Sequence, residues 1–143
     1  MKKFTIRTYR ISDYEAVQNL WKAAGLYLSL SDTREELHRM LDKHPELFLI
    51  AEQKGILIGT VLGSFDGRRG YIHHLAVLPE YQHRGIGTFL LKTLEEKYRS
   101  MDVVKIHLFI ETENAEVESY YQKLGWYRRD DLIMMSKTLR TDN

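Results

Sequence analysis

The residues best suited to chemistry lie in one run, Val77-Leu78-Pro79-Glu80-Tyr81-Gln82-His83-Arg84-Gly85-Ile86-Gly87-Thr88. A strand-like segment ends there and a helix-like segment begins at its glycines. Gly85 and Gly87 let the backbone approach a bulky ligand without a Cβ in the way. The first amides of the following helix are unsatisfied donors at the positive end of its dipole, an arrangement that holds phosphates. His83 and Arg84 add side-chain donors beside them. The spacing excludes two better-known phosphate loops. No Gly-Lys-Ser/Thr occurs, as a P-loop requires, and Gly85-Ile86-Gly87-Thr88-Phe89-Leu90 lacks the third glycine of a dinucleotide fingerprint. Just upstream, Tyr71-Ile72-His73-His74-Leu75-Ala76-Val77 carries two histidines, which titrate near neutral pH, and no carboxylate.

Composition narrows the chemistry further. The six histidines, at 38, 44, 73, 74, 83 and 107, show no metal-binding spacing such as H-E-x-x-H, so no metal is expected. With no cysteine, thiolate zinc sites and cysteine nucleophiles are excluded. The 143 residues fit one domain, 1–143, and can bury a core without a disulfide or metal. A net charge of +1 lacks the basic excess of a nucleic-acid or anionic-membrane binder. No apolar run approaches the roughly 18 residues of a membrane span. The start, Met1-Lys2-Lys3-Phe4-Thr5, has no signal-peptide core. These features predict a cytoplasmic protein.

The elements that must position these residues follow from periodicity. Alternation at Phe4, Ile6 and Thr8 predicts a first strand. Ser12 and Glu15 read as a capping box, followed by a helix with Val17, Leu20, Trp21 and Ala24 on one face and Gly25 at its end. A second helix is predicted over Thr33 to Lys43, with Leu37, Met40 and Leu41 inward and Pro45 as its stop. Leu47–Gln53 and Ile56–Ser64 form a hairpin through Lys54-Gly55. Tyr71–Leu78 is a strand and Ile86–Arg99 a helix. Val103–Ile110, apolar almost throughout, reads as a strand covered on both faces. Ala115–Leu124 is a short helix, and Trp126–Arg128 and Leu132–Lys137 read as two final strands. The order β-α-α-β-β-β-α-β-α-β-β gives an α/β fold with one mixed sheet. Strand, helix and strand from Tyr71 to Ile110 form its right-handed parallel crossover, and helices lie on both faces.

On these residues the chain resembles the GNAT superfamily of N-acetyltransferases. Gln82-x-x-Gly85-x-Gly87, preceded by Leu75-Ala76-Val77-Leu78-Pro79-Glu80-Tyr81, is similar to that family's acyl-CoA pyrophosphate motif. Asn114-Ala115, then Tyr120-Tyr121-Gln122-Lys123-Leu124-Gly125-Trp126, resembles its N-x(6)-FYEKLGF helix, with Tyr120, Gln122 and Trp126 as departures. The resemblance covers Phe4 to Leu139. It implies acetyl-CoA as acetyl donor and an amine as acceptor, joined by direct attack in a ternary complex. The amides from His83 through Gly85, Ile86 and Gly87 to Thr88 would cradle the pyrophosphate, with Gln82, His83 and Arg84 at the rim. Leu75, Ala76 and Val77 would pair with the pantetheine arm, and an amide there could polarise the thioester carbonyl. Asn114 would meet the arm from the other strand end. Tyr121 would protonate the leaving thiolate.

Many members carry a carboxylate base on the central strand, which this chain lacks. Strand alternation places Tyr71, His73 and Leu75 on one face and Ile72, His74 and Ala76 on the other. The first set corresponds to the family's usual base face, so His73 is preferred to His74 as base or water relay. Gly25-Leu26-Tyr27-Leu28-Ser29-Leu30 either lines an acceptor pocket or packs beneath the second helix. Asp130 and Asp131 either attract a cationic amine or form a solvated turn. A non-catalytic acyl-CoA-binding module is the alternative function. Trp126 and Tyr127 near the last strands would permit a homodimer through edge pairing.

Overall fold

A computed structural model describes residues 3–141; Met1 and Lys2, read above as part of a segment without a leader core, lie outside it. The chain forms two compact units that divide between Leu108 and Phe109. The first contains β1 (Thr5–Thr8), α1 (Tyr14–Ala23), α2 (Arg34–Leu41), β2 (Phe48–Gln53), β3 (Ile56–Phe65), β4 (Gly70–Val77), α3 (Ile86–Ser100) and β5 (Ile106–Leu108). The strands make one mixed sheet in sequence order. Neighbours from β1 to β4 are antiparallel, and β4–β5 is parallel. The β2–β3 turn uses Lys54 and Gly55, both at positive φ, as a tight two-residue hairpin requires.

Helices cover both faces of the sheet. Trp21 of α1, fully buried, donates from Nε1 to Thr60 Oγ1 at 2.9 Å. A Cβ on the adjacent Gly59 would instead meet Ile86 and Leu90 of α3. Val17, Leu20, Trp21, Leu37 and Leu41 pack with Phe48, Ile50, Leu62 and Ala76 on the α1–α2 side. Leu90, Leu91, Leu94 and Tyr98 are the buried stripe of α3, at the spacing of a single helical face. Helix α1 ends as the sequence predicts. Gly25 lies at φ +83°, Gly25 N–H donates to Lys22 O, and Leu26 N–H donates to Trp21 O, which is a Schellman cap.

Its start differs from expectation. Ile11–Asp13 is a short 3₁₀ turn and α1 begins at Tyr14. The reaching carboxylate is Asp13, which accepts from Arg10 N–H at 2.8 Å and from the Arg7 guanidinium at 2.8 and 2.9 Å. A charged acceptor with an arginine partner makes the stronger set of bonds, so Ser12 does not cap the helix. β5 is also shorter than predicted. Its ladder comprises Gly70↔Ile106, Tyr71↔His107 and Ile72↔Leu108, while Val104 and Phe109 are exposed. An apolar run becomes strand only as far as a partner offers a ladder.

A β-bulge lies where β5 pairing stops. β3 and β4 pair in register from Gly59↔Val77 to Leu62↔His74, then resume at Gly63↔Ile72. His73 is the extra residue. Tyr98 ties the two strands together across this point, its hydroxyl lying 2.9 Å from Ser64 O and 3.0 Å from Tyr71 O. A Cβ on Gly63 would fall 2.5 Å from that hydroxyl and 3.1 Å from both Leu94 methyls. Gly63→Ala therefore displaces Tyr98 from both carbonyls. The expected cost is about 1–3 kcal/mol, the range for overpacking a filled site, read as a lower urea midpoint. An unchanged midpoint would show that α3 yields freely.

The second unit, described by itself, holds a 3₁₀ segment (Thr112–Val117) followed by α4 (Glu118–Lys123), where the sequence predicts one continuous helix. Asn114, just ahead of the predicted Ala115–Leu124 helix, interrupts the 3₁₀ segment at φ −110°, ψ 28°. The two final strands predicted at Trp126–Arg128 and Leu132–Lys137 do not form among the described residues. Their apolar residues are present, but no neighbouring strand among the described residues takes up their backbone groups, and a strand exists only through its ladder.

Candidate active site

Between β4 and α3 the backbone presents a row of open donors. Pro79–Tyr81 makes a 3₁₀ turn, His83 lies at φ +63° and Gly85 at φ +83°, and α3 begins at Ile86. Glycine is suited to the left-handed conformation at position 85. Phe89 N–H donates to Gly85 O at 3.0 Å. The amides of His83, Arg84, Gly85, Ile86 and Gly87 have no acceptor among the described residues. They lie at the positive end of a helix of 15 residues, an arrangement chemically suited to an anion. Two rim side chains hold the loop itself. Gln82 Nε2 donates to Val77 O at 3.0 Å. Arg84 donates to Glu80 O at 3.0 Å and lies over the Tyr81 ring.

Beside these amides runs an open strand edge. β5 pairs with β4 only as far as Ile72. From His73 through Leu75, Ala76 and Val77, no strand among the described residues pairs with β4 on that side. An extended amide-containing ligand can add to such an edge as a further strand.

The bulge corrects the assignment of the histidines to opposite faces. Ala76 opposes Thr60, which faces Trp21, and His74, two residues before Ala76, shares that face. Its ring packs against Trp21 with centroids 4.7 Å apart. Gly63 faces α3, as does its partner Ile72. Ser64, next along β3, therefore faces the α1 side, and its Oγ lies 2.7 Å from His73 Nε2. Both histidines thus stand on the α1 face, because a bulge suspends alternation for one residue. Leu75 opposes Val61 on the α3 face, away from His73 and Tyr71. The His73 residue is exposed. Even so, desolvation of its ring, and then the charge of His74, hold its pKa below the ordinary histidine value against the pull of Asp32.

A carboxylate from another element does lie beside β4. Asp32, between α1 and α2, is buried, and its Oδ1 lies 2.8 Å from His74 Nε2. Its Oδ2 accepts from Ser29 N–H at 3.0 Å. Burial favours the neutral acid, but the bonds from His74 and Ser29 outweigh it and keep the Asp32 pKa below the usual carboxylate value. Sequence reasoning sought an acid on the same strand and missed Asp32. Its local signal, Ser29 three residues ahead, is that of an ordinary turn. Leu26 and Leu28 pack against the core while Tyr27 is exposed, so this segment packs rather than forming an apolar lining throughout.

In the second unit, Tyr121 stands half-buried on α4 between Tyr120 and Trp126, with ring centroids 5.2 and 6.0 Å away. Burial, and to a smaller extent Tyr120, pushes its hydroxyl up to about 12. Gly125 at φ +97° closes the helix, and Trp126 N–H donates to Tyr121 O at 3.1 Å. Trp126 is therefore engaged with Tyr121, while Tyr127 is exposed, and among the described residues neither lies on a strand. Asp130 and Asp131 pair with Arg128 and Arg129 at 3.0 and 2.9 Å, so their charges are offset locally.

The profile of the Acetyltransferase (GNAT) family matches residues 14–126. The chain belongs to this family. It is 36% identical to acetyltransferase SG1711 of Sodalis glossinidius and 38% identical to acetyltransferase ECA0875 of Pectobacterium atrosepticum, over 96% of each chain in both cases. Among solved structures, a PaiA N-acetyltransferase of Thermoplasma acidophilum in complex with coenzyme A shares its fold with a TM-score of 0.80 and 22% identity. That alignment covers 99% of this chain and 96% of the other. As a GNAT acetyltransferase it uses acetyl-CoA as acetyl donor, which suits a cradle of free amides beside an open strand edge. Among the described residues, no helix is long and apolar enough to cross a membrane.

Proposed function

We propose that this acetyltransferase moves the acetyl group of acetyl-CoA to a primary amine, on a small molecule or a protein, by direct attack in a ternary complex. The observation that carries this reading is the row of unpartnered amides from His83 to Gly87 next to the unpaired edge of β4. Those amides, with Thr88 beside them, hold the pyrophosphate, and His83 and Arg84 line its rim. Gln82 acts mainly by fixing Val77 O and hence the turn. Leu75, Ala76 and Val77 pair with the pantetheine arm; for Asn114 a part in cofactor binding rests on the likeness of its motif to the family's alone. When bound, acetyl-CoA supplies an activated thioester carbonyl. Tyr121, protonated through neutral pH and well into the alkaline range, gives its proton to the leaving sulfur. The acceptor's proton leaves by way of His73 and His74, which share one face of β4.

Release of free CoA from acetyl-CoA, measured over a panel of small amines and amine-bearing peptides, tests this reading. Turnover that depends on one class of amine is the expected outcome. Tight acetyl-CoA binding with no amine-dependent release would overturn it in favour of an acyl-CoA-binding module.

A further inference from the structure

We infer that Asp32 and His74 form a proton-accepting dyad for the acceptor amine, assembled between the α1–α2 connection and β4, with His73 passing the proton on to solvent. This rests on the transferase reading above. The dyad is fixed from several directions. Asp32 Oδ1 holds His74 Nε2 at 2.8 Å, and Ser29 N–H holds Oδ2 at 3.0 Å. Tyr14 Oη and Gln18 Nε2 donate to Asp32 O at 3.1 and 3.2 Å. Trp21 packs on the imidazole. The charged and titratable groups that face His74 are Asp32 from the connection and His73 on its own strand; behind Asp32, Tyr14 of α1 bonds its carbonyl, with Arg34 and His38 of α2 against the Tyr14 ring.

An ionised carboxylate only accepts. Asp32 therefore selects the tautomer of neutral His74 that carries its proton on Nε2. Nδ1 is left as a lone-pair acceptor, and among the described residues it has no hydrogen-bond partner. An ammonium acceptor loses two protons as it becomes an amide. One reaches the sulfur when the C–N bond forms and the C–S bond breaks; His74 Nδ1 takes the other, which must leave before the nitrogen can attack. The imidazolium so formed faces the Asp32 carboxylate, which stabilises it. His73 is exposed and lies beside this pair with its Nε2 on Ser64 Oγ, a position suited to handing a proton outward. Asp32 is thus a positioning residue acting through His74.

Asp32→Asn tests the dyad, because the asparagine Oδ1 can still accept from Ser29 N–H and keep the loop closed, which a thermal melt checks. Its pH–rate profile on the amine found by the panel should show kcat/KM down about 10²-fold or more, within the range for lost acid–base catalysis. The acidic limb should move to lower pH as the carboxylate charge is removed, with acetyl-CoA affinity unchanged. His74→Gln should lose a similar factor and the limb itself. Long-range proton–nitrogen spectra of the histidine rings should show His74 with its proton on Nε2 in the unaltered protein and lose that preference in Asp32→Asn. A proton on Nδ1, or an Asp32→Asn protein with unmoved limb and full rate, would overturn the dyad while the transferase stands. An unaltered protein that acetylates no amine would overturn the transferase reading, and the catalytic role of the dyad with it.

Discussion

Replacing Tyr121 by Phe is expected to lower kcat about 10²- to 10⁴-fold, the range for losing a general acid, while acetyl-CoA still binds. The substitution removes one hydroxyl and keeps the ring that packs between Tyr120 and Trp126. That hydroxyl makes no hydrogen bond among the described residues, so its loss leaves no buried partner unsatisfied and stability should change little. The effect should therefore fall on turnover. Because burial pushes the hydroxyl up to about 12, its ionisation contributes no decline in rate across neutral and moderately alkaline pH. A basic limb found there would belong to another group. Stopped-flow or steady-state CoA release with matched isothermal titration separates the two effects. Full turnover in Tyr121→Phe would remove the acid from this residue.

Gly87→Val should weaken acetyl-CoA binding by about 10²-fold or more. Gly87 is the second residue of α3, and its amide is one of those without an acceptor among the described residues. A hydrogen bond from an amide to a charged phosphate contributes roughly 1.5–3 kcal/mol, and each 1.4 kcal/mol is about tenfold in affinity. A branched side chain that holds the pyrophosphate off one or two amides gives that loss. Valine has a higher helix propensity than the glycine it replaces, so the fold should persist, as far-ultraviolet circular dichroism can check. Unchanged calorimetric affinity in the folded variant would place the pyrophosphate elsewhere.

Much of this protein was legible from local patterns alone. Val17, Leu20 and Trp21, at the spacing of one helical face, are buried on α1, and Gly25 and Gly125 end their helices at positive φ. The turn from Gln82 to Thr88 leads into α3, so a row of open amides at a helix start could be read from two glycines. Helix periodicity, helix ends and tight turns depend on neighbours a few residues away, and sequence carries that information directly. What depends on partners far along the chain was not legible. Alternation assigned His73 and His74 to opposite faces, but one extra residue against Gly63 puts them on the same face. The bulge follows from how β3, β4 and Tyr98 of α3 fit together, which no spacing within Tyr71–Val77 records. The carboxylate beside those histidines is Asp32, 42 residues before His74. Two residues of different elements meet only when the chain folds, so the sequence supplied the acid and the histidine and only the tertiary structure made them a pair.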